Sequence, residues 1–95
     1  MSTKEKIECI LRQALEATAV KVDDESALHV GHAGAASGGG HYRVTIVSPV
    51  FEGKSLVLRH RLVYEALAAE MKHTIHALAL TTVAPSEQAQ KVREP

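Results

Sequence analysis

The sequence predicts one small α+β domain, in which helices cover one face of a three-stranded mixed sheet in the element order αββααβ(α). Three observations support this. An apolar repeat of helical spacing opens the chain, alternating apolar and polar residues mark strands on both sides of a glycine-rich loop, and a second helical region precedes the last strand. Because a crossover with helices joins parallel strands, the last two strands are expected to run parallel.

The chain opens with a helix that is predicted over about Thr3–Ala17. Ser2 and Glu5 have the spacing of a capping box. The apolar residues that follow recur on one helix face: Ile7, Ile10, Leu11, Ala14 and Leu15. The single cysteine, Cys9, lies off this face without a motif that would activate it, so the sequence favours a packing role over a reactive thiol.

Two antiparallel strands are predicted next, on either side of a long loop. Short alternation predicts the first over Ala19–Asp23, and clear alternation predicts the second over His41–Ser48, which Pro49 ends. Five of the six glycines lie in the segment between them, residues 25–42. A connection of this length is often functional, and disorder is the alternative.

The second helical region begins after a turn at residues 52–54. Ser55 is expected to cap a short helical turn that ends at Leu58, and a further helix is expected from Arg61. Its apolar residues have helical spacing: Leu62, Val63, Ala66, Leu67 and Met71.

The C-terminal part is predicted to complete the sheet with a third strand, Thr74–Val83. Pro85 ends this strand and opens a short helix with Glu87 in its first turn. Residues 90–95 are expected to be flexible. The chain is therefore predicted to form a single domain over residues 1–95 with an ordered core of about residues 3–88.

Charge, cysteine content and motifs exclude several classes of function. Eleven basic and eleven acidic residues balance, so no global field attracts the protein to nucleic acid or membrane. One cysteine excludes an internal disulfide and fits a reducing compartment. There is no nucleophile elbow, paired-carboxylate motif or P-loop, so catalysis is not expected. Without a long apolar run or a signal peptide, a soluble cytoplasmic protein is predicted.

Histidines are predicted to gather where the two parallel strands begin. His41 opens the second strand and His76 the third, and His29 and His32 lie in the loop that leads into the second strand. Neutral imidazole is a common ligand of iron, zinc and copper. Because no carboxylate supports them, these histidines indicate an incomplete site that a partner completes, and a structural role is the alternative.

A small basic cluster lies at a predicted helix-turn-helix-like junction and consists of Lys54, Arg59, His60 and Arg61. Such a group could contact phosphate while the following helix reads base edges. The alternative is a solvated surface on which the arginines pair with Glu52, Glu65 or Glu70. The zero net charge favours that alternative.

Three segments resemble the BolA family closely: FEGK at residues 51–54, RHRLVY at residues 59–64 and IHAL at residues 75–78. They occur in the family's order and spacing, and the resemblance extends over roughly residues 11–87. The loop segment HVGHAG also resembles the family's variable loop, which carries histidine or cysteine. The resemblance implies a class II KH-like fold.

The resemblance also implies an adaptor function in iron–sulfur cluster trafficking and iron homeostasis. BolA-like proteins associate with monothiol glutaredoxins, and the pair shares a [2Fe–2S] cluster that the glutaredoxin cysteine, glutathione and BolA-side ligands hold. The family's C-terminal histidine ligand corresponds to His76, and its loop ligand to His32, with His29 as the alternative. The isolated protein is expected to carry no cofactor and to be a monomer or weak dimer.

A second activity is implied as an alternative. Some bacterial BolA-like proteins are DNA-binding transcriptional regulators of stress response and cell morphology, and they use the region that corresponds to Arg59–Arg61. The adaptor is preferred because it accounts for the histidines and does not conflict with the neutral charge.

Overall fold

The computed structural model describes residues 2–26 and 40–88. Its elements are helix α1 (Thr3–Ala14), strands β1 (Ala19–Asp24) and β2 (Gly40–Val47), a 3₁₀ helix (Pro49–Phe51), helices α2 (Leu56–Ala66) and α3 (Ala68–His73), and strand β3 (Ile75–Val83). Residues 85–88 add a short helical turn. The predicted α+β class and element order are confirmed. In the described part of the chain, no helix combines the length and apolar character that a bilayer span requires.

The sheet has the strand order β1-β2-β3, and β2 is antiparallel to β1 and parallel to β3. The predicted parallel crossover is therefore confirmed. Along β2, Tyr42, Val44 and Ile46 are buried beneath the helices, whereas Arg43 lies exposed on the opposite face. The fully buried hydrophobic residues come from helices, sheet and connections alike: Ile7, Leu11, Val44, Ile46, Phe51, Val63, Leu67 and Ala84. The helices thus cover one face of the sheet and leave the other open.

Two predicted helix boundaries are wrong. Helix α1 ends at Ala14 and not at Ala17, because Glu16 has a φ of 52°, which a right-handed helix cannot continue. The predicted junction at Arg59–Arg61 lies inside α2, and the helices meet at Leu67 instead. The chain therefore has no helix-turn-helix-like junction at the basic residues.

The physical reason for the second error is the position of Arg59. Arg59, Val63 and Leu67 follow one another at intervals of four residues and are all buried, at 6%, 0% and 0% exposure. Arg59 therefore occupies a position in the buried stripe of α2 where an apolar residue is expected. Leu56 and Val57, in contrast, are 63% and 67% exposed.

Gly53 forms the turn that precedes α2 with a φ of +70°. A Cβ atom at this position would meet nothing within 4 Å, so only the backbone conformation opposes a side chain there. We expect Gly53→Ala to lower the free energy of unfolding by about 1 kcal/mol in urea denaturation. Gly53→Asn is the matched control, and its free energy of unfolding should fall by less, because asparagine tolerates positive φ. Equal stability of the alanine variant and wild type would contradict this account.

Candidate functional site

His41 and His76 lie side by side where β2 and β3 begin, and together they are called the histidine edge. Their ring centroids are 5.3 Å apart and their planes are inclined by 44°. This confirms that the strand openings bring these two histidines together. His29 and His32, which were predicted to join them, lie outside the described residues.

A β-bulge places His76 beside His41. Gly40 pairs with Ile75, but the next residue, His41, pairs with Ala77, so His76 is the extra residue on β3. A bulge bends its strand locally and changes the direction of a side chain. His76 is exposed and His41 is half-buried, so the edge is accessible from solvent through His76.

The residues after β1 hold the backbone of His41. The His41 amide donates to Ser26 Oγ at 3.1 Å, and the His41 carbonyl accepts from the Glu25 amide at 2.7 Å. The Ser26 amide in turn donates to Asp24 Oδ1 at 2.9 Å. The side-chain and backbone hydrogen bonds from Ser26 lower the pKa of the Asp24 carboxyl. An ionised Asp24 therefore supports the turn that positions His41.

A shallow cavity of about 230 Å³ adjoins His41 and is lined by Glu25, His41, Tyr42, Arg43, Ala77, Leu78 and Ala79. Arg43 Nε donates to Glu25 Oε2 at 3.1 Å, so the charged groups of its wall are paired. Within residues 2–26 and 40–88, at this edge or at any other place, no group of three His, Cys, Asp or Glu side chains lies close enough together to hold a metal ion. The described part of the edge thus provides two imidazoles.

Arg59 is buried and has a structural role, unlike the other residues of the basic cluster. Its guanidinium donates to both carboxylate oxygens of Glu87, at 2.7 and 3.0 Å. It also donates to the carbonyls of Lys54 and Thr82, at 2.9 and 3.2 Å. The hydrogen bond with Glu87 is the main cause that raises the pKa of Arg59.

The ion-pair partner of Arg59 differs from the predicted one. Arg59 pairs with Glu87, and the prediction that it pairs with Glu52, Glu65 or Glu70 is wrong. Glu52 instead accepts from the amide and hydroxyl of Ser86, at 3.1 and 2.8 Å. Lys54 and Arg61 are exposed and His60 is half-buried, so these three remain accessible at the start of α2.

Two features of the site were missed by sequence reasoning. The Glu25–Arg43 pair beside His41 was not predicted, and neither was the bulge at His76. The alternation of β2 places His41 and Arg43 on the same face, which is the signal that could have linked them. The bulge at His76 has no comparable signal, because it depends on how two strands pair.

The fold and the histidine edge define an α+β protein in which two adjacent imidazoles lie at the start of a pair of parallel strands. The family model described as "BolA-like protein" matches residues 11–87. The chain belongs to the BolA-like family. This confirms the resemblance that the three sequence segments indicate.

Individual relatives agree with this assignment. The "DNA-binding transcriptional regulator BolA" of Escherichia coli (strain K12) is 43% identical over 82 residues, which cover 86% of this chain and 75% of that protein. "SufE-like protein 1, chloroplastic/mitochondrial" of Arabidopsis thaliana is 39% identical over 92 residues, which cover 92% of this chain but 24% of that protein. This chain therefore spans about a quarter of the plant protein's length.

A solved structure shows the same architecture. The BolA domain of SufE1 from Arabidopsis thaliana superposes with a TM-score of 0.80 at 38% sequence identity. The superposition covers 92% of this chain and 96% of that domain. The fold is thus shared over almost the whole of both.

Proposed function

We propose that this chain is a non-enzymatic adaptor that binds a monothiol glutaredoxin and shares a [2Fe–2S] cluster with it, in iron–sulfur cluster trafficking and iron homeostasis. The observation that carries this proposal is the placement of His76. Its imidazole is exposed on a bulge at the end of the sheet, where a second protein can reach it. An exposed ligand of this kind suits a site that two proteins complete.

The donor chemistry fits the proposed [2Fe–2S] cluster. Imidazole replaces thiolate on one iron in some clusters of this type and raises their reduction potential. His76 would bind such an iron, and a loop histidine, His32 or alternatively His29, would supply the second ligand from this chain. The glutaredoxin cysteine and glutathione would hold the rest. The hydrogen bonds at His41 keep β2 and its end of the sheet in place beside His76.

Visible circular dichroism of the reconstituted mixture tests the proposal. The protein is combined with a monothiol glutaredoxin, glutathione, iron and sulfide, and wild type is compared with His76→Ala and His32→Ala. We expect a mixed-cluster spectrum that each substitution alters, with cluster retention reduced roughly tenfold or more for His76→Ala. His73→Ala is the matched control, because His73 is an exposed histidine at the end of α3 and is not one of the two rings that form the edge.

Two outcomes of this experiment would contradict the proposal. If wild type yields only the spectrum of the glutaredoxin homodimer, the chain does not share the cluster. If His73→Ala changes the spectrum as much as His76→Ala, the effect is not one of ligation at the histidine edge.

A second candidate function is DNA-binding transcriptional regulation of stress response and cell morphology, which the name of the Escherichia coli relative supports. Lys54, His60 and Arg61 would then contact phosphate, because Arg59 is engaged with Glu87. On this hypothesis, Lys54→Ala combined with Arg61→Ala weakens duplex binding and reduces its salt slope by about two. Identical slopes for this variant and wild type would argue against DNA contact at this surface.

A further inference from the structure

We propose that His41 and His76 bind one divalent transition-metal ion, such as Cu²⁺, Ni²⁺ or Zn²⁺, in the isolated protein. This site is distinct from the shared cluster in two respects. It requires no glutaredoxin, glutathione or sulfide, and it gives a ligand role to His41, which has none in the proposed function. The shared residue is His76, so an ion bound there would occupy the ligand that the adaptor uses.

The spacing of the two rings fits a single shared ion. Imidazole nitrogen binds zinc at about 2.0–2.1 Å, and two imidazoles at a tetrahedral angle on one ion therefore have ring centres about 5 Å apart. The observed separation is 5.3 Å, and the 44° inclination shows that the rings are not stacked in parallel. His76 is exposed, so its ring can turn a nitrogen towards the ion without loss of buried contacts.

The backbone around both ligands is already ordered. The amide and carbonyl of His41 are hydrogen-bonded to Ser26 and Glu25, and the Gly40 amide donates to the Thr74 carbonyl at 3.0 Å. These bonds join the segment after β1 and the segment before β3 to the start of β2. Ligands on ordered strands lose less conformational entropy on binding than ligands on free loops. The backbone that carries the two ligands is therefore already in place for chelation.

The electrostatic surroundings do not oppose a cation. Arg43 is the nearest positive group in the adjoining cavity, and its side chain is paired with Glu25 at 3.1 Å. The carboxylate of Asp24, whose pKa is lowered by Ser26, adds negative charge to the same turn. Since the described residues provide two ligands and His76 faces solvent, water can complete the coordination.

The test is a titration of the isolated, metal-free full chain with Ni²⁺, Cu²⁺, Co²⁺ and Zn²⁺ by calorimetry. We expect one ion per chain and affinities that rise from Co²⁺ to Ni²⁺ to Cu²⁺. His41→Ala and His76→Ala should each weaken binding roughly tenfold or more. His60→Ala and His73→Ala are matched controls that remove a histidine outside the edge, and we expect wild-type affinity for both.

A second measurement reports on the imidazoles directly. Nuclear magnetic resonance of the ring nitrogens should show that Zn²⁺ shifts both His41 and His76, which a purely structural role would not produce. Far-ultraviolet circular dichroism confirms that each variant is folded, and His41→Gln provides a larger replacement if alanine at this half-buried site unfolds the chain.

Three results would overturn the inference. They are the absence of binding to wild type, wild-type affinity in folded His41→Ala, and loss of binding in His29→Ala or His32→Ala with no change in His41→Ala. Because no glutaredoxin is present, these results do not depend on the shared-cluster proposal. Conversely, failure of the shared cluster would leave this titration unchanged.

Discussion

Replacement of Phe51 by alanine is expected to lower the free energy of unfolding by about 4 kcal/mol. Among the described residues, Phe51 is the largest side chain that is fully buried. It lies in the 3₁₀ helix between β2 and α2, and the Arg59 guanidinium carbon is 5.9 Å from its ring centroid. Apart from Tyr42, the other buried residues of this core are aliphatic, so removal of the Phe51 ring leaves a cavity. Urea denaturation measures the loss.

Leu56→Ala is the control for this substitution. Leu56 begins α2 only five residues later and is 63% exposed, so its truncation should change stability by less than about 0.5 kcal/mol. A loss below 1 kcal/mol for Phe51→Ala would mean that the connection between β2 and α2 does not anchor to the core as described.

Replacement of Arg59 by alanine is expected to cost about 3 kcal/mol. The Arg59 side chain is 8% exposed and joins three parts of the fold: the turn at Lys54, the end of β3 at Thr82, and the C-terminal turn at Glu87. Its removal deletes the donors for two carbonyls and a carboxylate. Glu87 is 44% exposed and can be solvated by water, so most of the cost arises from the loss of Arg59 itself.

Three variants separate the contributions at Arg59. Arg59→Lys keeps the charge but lacks the planar fork, so we expect it to recover less than half of the stability. Glu87→Gln should cost about 1 kcal/mol, because the hydrogen bonds are weakened while the shape is kept. Arg61→Ala, on the exposed side of α2, should be neutral within about 0.5 kcal/mol. Equal effects of Arg59→Ala and Arg61→Ala would contradict the buried role of Arg59.

The sheet could be predicted from the sequence because its pattern is local. Tyr42, Val44 and Ile46 alternate with polar residues along β2, and burial follows this alternation. Once the helices were placed between the second and third strands, their parallel pairing followed, and with it the meeting of His41 and His76.

The helical region could not be predicted as well, because its burial does not follow hydrophobicity. The apolar Leu56 and Val57 are exposed. Arg59, in contrast, is buried, and its charge is compensated there by an ion pair with Glu87, 28 residues later. Local spacing carries no information about that partner. The bulge at His76 is similarly a property of strand pairing.

The proposed function requires that this chain form a complex with a monothiol glutaredoxin around a shared [2Fe–2S] cluster. Native mass spectrometry of the reconstituted mixture tests it most directly, because the mass of each species counts its chains, iron and sulfide. We predict one copy of each protein with two iron and two sulfide, and loss of that species for His76→Ala but not for His73→Ala. A mixture in which all iron stays with glutaredoxin homodimers, and this chain remains apart, would contradict the account.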